Sequence, residues 1–280
     1  YPAFILFLCV AIKLFARKKV VLTAHNVTTH EQKQWEAHIY KRLYRLADRI
    51  VVHAQANKKE VVDLFGIDGQ KIAVIAHGNY TFFNTEGAVP AANGECNVLF
   101  FGYIRKYKGL MHLIRAMKFV RARIPHARLI IAGRATEGFA EYQQAIDELG
   151  LGESVEKNLD YISFEQVKKY FERANVVAMP YENIYQSGVV QVAYGFSRPV
   201  VATDVGGFPE AVEDGKSGFI VPPKDVNALA EKLITVLSDR ALQGTMGAYG
   251  LHMANTKFSW ESIAAETNKL YETVIGPKRS

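Results

Sequence analysis

The sequence predicts an α/β protein built from parallel sheets flanked by helices. Three observations carry this expectation. Short β-branched runs alternate along the chain with stretches of amphipathic helical periodicity. The segment from Met179 to Gly218 reads strand, polar loop, helix start, strand, glycine turn, the order in which a parallel α/β sheet is built. Of the 280 residues, 49% are apolar and no low-complexity tract interrupts them, so the chain should be globular throughout.

The elements follow in order. Pro2 to Phe15 is strongly apolar and is followed by Ala16-Arg17-Lys18-Lys19. A signal peptide carries its charge ahead of the apolar run, and here the charge comes after. Lys13 interrupts the run, which is also shorter than the ~20 residues of a spanning helix. It reads as a buried or interfacial helix feeding a strand at 20–23. Strands are then expected at 49–52 and 72–76, with helices at 34–46 and 58–65. The stretch 87–95 is rich in Ala, Pro, Asn and Gly and is the expected interdomain linker. Beyond it, strands are expected at 97–101, 128–132, 155–158, 176–179 and 200–203. Helices are expected at 110–123, 137–149, 164–174 and 189–196, with closing helices at 225–238 and 260–275.

Composition narrows the function classes. A net charge of +6 points to anionic ligands or an anionic surface. The basic residues are scattered and no nucleic-acid-binding motif is present, so no nucleic-acid partner is expected. Cys9 and Cys96 are far apart with no metal-ligand spacing, which fits a reducing cytoplasm and no structural disulfide. No G-x-G-x-x-G fingerprint follows the first strand, which argues against a dinucleotide-dependent dehydrogenase or epimerase.

Candidate chemistry lies in the loops that follow strands. Ser187-Gly188-Val189 opens an apolar helix, and free N–H groups at a helix start suit a diphosphate. An ordinary βαβ unit with Ser187 as a simple N-cap reads the same way. Gly102 to Gly109 joins a strand to a helix, and Arg105 and Lys108 would flank whatever that loop holds. A solvated basic turn is the alternative.

These residues carry a resemblance. Met179 to Gly218 is similar to the donor-binding region of GT-B glycosyltransferases, family 4 in particular. Phe100 to Gly109 resembles that family's glycine loop with its Arg and Lys. Val205-Gly206-Gly207-Phe208-Pro209-Glu210 and Gly215 to Pro223 resemble the segment after the donor helix, and Phe258-Ser259-Trp260-Glu261 the start of the last helix. The match is good over residues 97–275 and looser before. It implies two Rossmann-like domains: an incomplete N-terminal acceptor-side domain at 1–86, a donor-binding domain at 96–258, and a last helix at 259–280 crossing back to the first. Family members carry further βα units ahead of this point, and with no initiator Met the chain looks like a fragment.

The resemblance also implies roles. Lys108 and Arg105 would stabilise a departing nucleoside diphosphate, with Gly102, Ser187, Gly188 and Val189 cradling it. Many relatives carry the Arg directly after the Gly, where this chain has Tyr103. Gly133 and Arg134 would lie beside phosphate or sugar, and Tyr161 and Ile162 beside the base. His25, just after a strand, would approach the reacting sugar or acceptor; a strand-end histidine with a local partner is the alternative. His30-Glu31 would shape the acceptor side, and His77 would serve a structural, hinge-side role. His53, His77 and His126 form no cluster in the sequence that would mark a metal site.

One departure stands out. The family's paired glutamates fall here on Ile184 and Val192, with Glu182 and Gln191 nearby, so the pair is degraded. Glu182 either faces the sugar or is a solvated loop carboxylate.

The expectation is a retaining transferase that moves a sugar from a nucleoside-diphosphate donor to an acceptor hydroxyl without a metal. The acceptor would be a carbohydrate or lipid-linked molecule, in polysaccharide or glycolipid synthesis, in the cytoplasm or at the inner face of the membrane with peripheral contact. The alternative is a non-catalytic nucleotide-sugar or polyanion-binding module.

Overall fold

The computed structural model describes residues 2–28, 34–84 and 94–276. The chain forms two compact units, Tyr1–Gly78 with Phe258–Ser280, and Asn79–Lys257.

The first unit holds α1 (Pro2–Leu14), β1 (Val21–Thr23), α2 (Gln34–Leu46), β2 (Arg49–Val52), α3 (Gln55–Phe65) and β3 (Ile72–Val74). Its three strands are parallel in the order β1-β2-β3. Helix α1 lays Leu6, Cys9 and Ile12 against Val20, Leu22, Leu43 and Leu46. Asp48 ties the start of β1 in place: it accepts from the Val20 N–H at 2.8 Å and pairs with Lys13 at 2.9 Å. Of the two expectations for this helix, buried or interfacial, the structure fits the second: it is buried at Pro2 and Cys9, whereas Phe4, Phe7 and Leu14, with Phe15 just beyond it, stay exposed. Among the described residues, no helix is long and apolar enough to cross a membrane. The last described helix groups with this unit and is α11 below.

The second unit contains β4 (Asn97–Phe101), α4 (Leu110–Arg123), β5 (Arg128–Ala132), α5 (Ala140–Glu148), β6 (Val155–Asn158), α6 (Phe164–Arg173), β7 (Val176–Met179), α7 (Gly188–Gly195), β8 (Val200–Thr203), α8 (Phe208–Ala211), β9 (Gly218–Val221), α9 (Val226–Ser238) and α10 (Arg240–Asn255). In the first unit α11 (Trp260–Ile275) follows. Six parallel strands run in the order β6-β5-β4-β7-β8-β9. In the central strands Val98, Leu99, Phe100, Ile130, Ile131, Val176, Val177, Val200 and Val201 are fully buried and form the core. Helices covering both faces explain why these strands read as continuous apolar runs.

Four elements depart from expectation. Strand β9 and helices α8 and α10 were not expected, and strand 72–76 is shorter, ending at Val74. The expected linker 87–95 lies outside the described residues for 87–93. The segment just before it packs within the second unit: Asn79 Nδ2 donates to Ala254 O at 2.8 Å and Asn84 Nδ2 to Gly195 O at 2.9 Å. His30 and Glu31 also lie outside the described residues.

Candidate functional site

In the second unit the chain moves from β4 to one side through β5 and β6, and then to the other side through β7, β8 and β9. The strand order reverses between β4 and β7, and ligands of open parallel sheets bind outside the carboxyl ends of the strands at such a reversal. The loops after these two strands carry Gly102, Arg105, Lys108, Glu182 and Ser187. They are tied together: the Glu182 N–H donates to Tyr107 O at 2.7 Å. Gly109 supports the same contact. Its φ is +67°, and a Cβ there would lie 1.9 Å from the Pro180 carbonyl oxygen, so only glycine fits.

Lys108 is held inside this junction. Its Nζ lies 5.3 Å from the centre of the Tyr181 ring, and close enough to Gly102 that a Cβ on that glycine would come within 3.1 Å of it. It makes no ion pair among the described residues. Burial, and then the neighbouring Arg105 guanidinium, lower its pKa from 10.5 to about 8. A half-buried ammonium beside a second cation, neither of them in an ion pair among the described residues, suits an anion. The Arg105 side chain is exposed.

The other expected donor residues fall around the same edge. Gly133 directly follows β5, and its N–H donates to Asn158 O at 2.9 Å. Arg134 is exposed, and its carbonyl accepts from the Ile104 N–H at 2.9 Å, which fixes the path of the glycine loop. Tyr161 projects into solvent and Ile162 is buried, both in the loop after β6.

At the start of α7, Ser187 is the N-cap, its Oγ accepting from the Val189 N–H at 3.3 Å. The capping alternative is therefore realised, and a ligand there would meet a helix start with one N–H already engaged. Gly188, expected to cradle a diphosphate, carries no Cβ on its ligand-facing side. The structure gives that space to Tyr80: a Cβ on Gly188 would fall 2.6 Å from the ring.

Glu182 is partnered. Its Oε1 lies 2.8 Å from His112 Nε2 and its Oε2 2.9 Å from Lys224 Nζ. The Lys224 and His112 bonds hold its carboxyl below the usual carboxylate range. Neither partner was singled out from the sequence. Val192 is buried in the core, and Gln191 is buried beside it with its Oε1 unpartnered among the described residues.

In the first unit, the loops after β1, β2 and β3 bring three histidines together. The ring centroids of His25 and His53 are 4.8 Å apart, those of His53 and His77 5.5 Å, and those of His25 and His77 6.2 Å. His53 Nδ1 lies 2.9 Å from Ile75 O, and its Nε2 lies 3.0 Å from His25 Nδ1. Burial, then the two neighbouring imidazoles, keep the pKa of His53 below its ordinary value of 6.5. This convergence was missed in the sequence, where the three lie far apart. The available signal was a histidine just beyond each of three consecutive strands. Among the described residues, no group of three or more His, Cys, Asp or Glu is arranged to hold a metal ion.

Comparison with known proteins agrees with both units. The family described as "Glycosyl transferases group 1" matches residues 95–239, and "Glycosyltransferase Family 4" matches residues 1–79. A D-inositol 3-phosphate glycosyltransferase of Corynebacterium glutamicum is 28% identical over 244 residues, covering 82% of this chain and 58% of that protein. Its counterpart in Mycolicibacterium smegmatis is 33% identical over 227 residues, covering 76% and 50%. The chain thus spans little more than half the length of these relatives. The crystal structure of Anabaena Alr3699/HepE, solved in complex with UDP, superposes with a TM-score of 0.85 at 20% identity, covering 98% of this chain and 77% of that one. The fold is therefore the two-unit α/β fold of GT-B glycosyltransferases.

Proposed function

We propose that this chain, which belongs to the glycosyl transferases group 1 family, moves a sugar from a nucleoside-diphosphate donor to an acceptor hydroxyl with retention of anomeric configuration. The observation that carries this reading is Lys108: a half-buried ammonium, with no ion pair among the described residues, between the β4 and β7 loops at the strand-order reversal.

The chemistry follows from charge. As the bond from the anomeric carbon to the diphosphate breaks, its electron pair goes to the phosphate oxygen. Cations already fixed at that oxygen stabilise the transition state more than the ground state. Lys108 and Arg105 supply those cations, and the start of α7 adds its dipole. We assign the leaving-group role to these groups without a metal. Gly102, Gly133, Arg134, Tyr161, Ile162, Ser187, Gly188 and Val189 would form the donor surround, with Glu182 held for the sugar by Lys224 and His112. The acceptor oxygen attacks the same face, its proton passing to the departing diphosphate. His25 would meet a hydroxyl of the sugar or acceptor. An acceptor at an anionic membrane surface, as in polysaccharide or glycolipid synthesis, is supported by exposed Phe4, Phe7, Leu14 and Phe15 beside Arg17, Lys18 and Lys19.

One observation favours a second reading, a module that binds the donor without turnover. Val192 is buried where the family resemblance places a ribose-binding carboxylate. Calorimetric titration with UDP, GDP and ADP, repeated on Lys108→Ala, tests the donor site. Selective binding of one diphosphate, weakened in the variant, supports it. Failure to bind any of the three removes both readings.

A further inference from the structure

We propose that His53 is a positioning residue that fixes His25 in its Nδ1–H tautomer, so that His25 presents the lone pair of Nε2 to a substrate hydroxyl. This rests on the reading of His25 as a residue that meets substrate, and it adds which nitrogen acts and what sets it.

Three groups form a hydrogen-bonded chain: Ile75 O, His53 and His25. A carbonyl oxygen only accepts, so the 2.9 Å contact between His53 Nδ1 and Ile75 O places a proton on Nδ1. A neutral His53 then has its lone pair on Nε2. At 3.0 Å from that lone pair, His25 Nδ1 must be the donor. A neutral His25 with its proton on Nδ1 has its own lone pair on Nε2. His25 is exposed just beyond β1, at the carboxyl edge of the sheet, and Nε2 has no partner among the described residues.

The chain runs the other way only if His53 is a cation, donating from both nitrogens and making His25 an Nε2–H donor. The groups facing His53 oppose that. His53 is half-buried, which disfavours the charged ring, and both His25 and His77 lie beside it. The backbone of the β3 loop, through Ile75, thereby sets the polarity of an imidazole two side chains away. A second-neighbour group that orients a histidine by a hydrogen bond to its far nitrogen is a recurrent way to fix its tautomer. Here the orienting group is itself a histidine anchored to main chain.

The test reads the tautomer directly. Long-range 1H–15N spectra of the imidazoles are recorded on the full chain at pH 8, with His25 assigned by its loss in His25→Gln. The expected result is a proton on His25 Nδ1 in the wild type. His53→Gln keeps this state, because its amide oxygen can accept in place of Nε2. His53→Phe removes the acceptor and lets His25 revert to the Nε2–H form that free imidazole side chains prefer. An Nε2–H His25 in the wild type, or a tautomer indifferent to His53→Phe, overturns the proposal. If His53→Phe fails to fold, the wild-type and His53→Gln spectra decide.

A kinetic arm uses whichever of UDP-, GDP- or ADP-glucose the wild type turns over. kcat should fall about tenfold or more in His53→Phe. His53→Gln should recover part of that loss, with diphosphate affinity unchanged in both. Equal losses in the two variants overturn the positioning role. No turnover of any of these donors by the wild type would count against the transferase reading alone, since the spectra judge the tautomer without it.

Discussion

The pH dependence of diphosphate binding follows from Lys108. In the ligand-free protein, burial and Arg105 bring its pKa down to about 8. A diphosphate bound beside it favours the ammonium and raises that value. Binding above pH 8 must therefore take up a proton. At pH 9 only about one molecule in eleven carries the charge beforehand, so affinity should be about tenfold lower than at pH 7, or about 1.4 kcal/mol. The perturbation is pH alone, and the assay is calorimetry at pH 7 and pH 9 in two buffers of different ionisation enthalpy, which counts protons. The tightest-binding of UDP, GDP and ADP is used. Lys108→Met is the control: it should bind weakly at both pH values and take up no proton through this site. Equal wild-type affinity at the two pH values, or the same fall in Lys108→Met, would refute the assignment of Lys108 to the diphosphate.

The remaining predictions concern stability. The folded pKa of Lys108 lies below its ordinary 10.5, so the fold disfavours this proton; the penalty is complete below about pH 8 and vanishes as pH rises past 10.5. Lys108→Met should therefore raise the Tm at pH 7, by about 1–3 kcal/mol of stability, with the gap closing at alkaline pH; a solvated basic turn would show no gain. The carboxyl of Glu182 is held below its ordinary value by Lys224 and His112, so its contribution is present above the ordinary carboxylate range and lost as pH falls through the depressed value. Glu182→Gln should lower the Tm at pH 7 and lose its effect in acid; an acid-insensitive difference would contradict the pairing. Gly188→Ala should cost about 1–3 kcal/mol by driving a methyl into Tyr80, and chemical denaturation in a Tyr80→Ala background should show most of that loss removed.

Much of this fold was legible because its strands are buried on both faces. The runs Val98-Leu99-Phe100 and Val200-Val201-Ala202 announce themselves without any knowledge of partners. Helix α10 did not. Gly244, Gly247 and Gly250 read as helix breakers, yet two of them are there for close packing: a Cβ at Gly247 would fall 2.0 Å from Ser197 O, and one at Gly250 would fall 2.5 Å from the Tyr194 ring. Strand β9 was hidden because it is short, begins at a glycine and has two half-buried positions.

The candidate site divides in the same way. Gly102, Arg105 and Lys108 could be named because they follow a strand and precede a helix, a local pattern. The contacts of Lys108 with Tyr181 and of His112 with Glu182 depend on β4 and β7 being neighbours, and that of Lys224 with Glu182 on β9 lying two strands from β7, which are properties of strand order. The meeting of His25, His53 and His77 depends likewise on β1-β2-β3 adjacency. Tyr80 in the space beside Gly188 had no sequence signal at all, since a glycine at a helix start fits a ligand and a neighbouring ring equally well.

The central claim, sugar transfer from a nucleoside diphosphate, is tested most directly by turnover. The chain would be incubated with UDP-, GDP- and ADP-glucose, and the free diphosphate and the anomeric configuration of the released or transferred sugar followed by NMR. The expected result is diphosphate release from one donor, an α-configured product from that α-donor, and loss of release in Lys108→Ala. Tight diphosphate binding with no release from any donor, or a β-configured product of transfer, would contradict it.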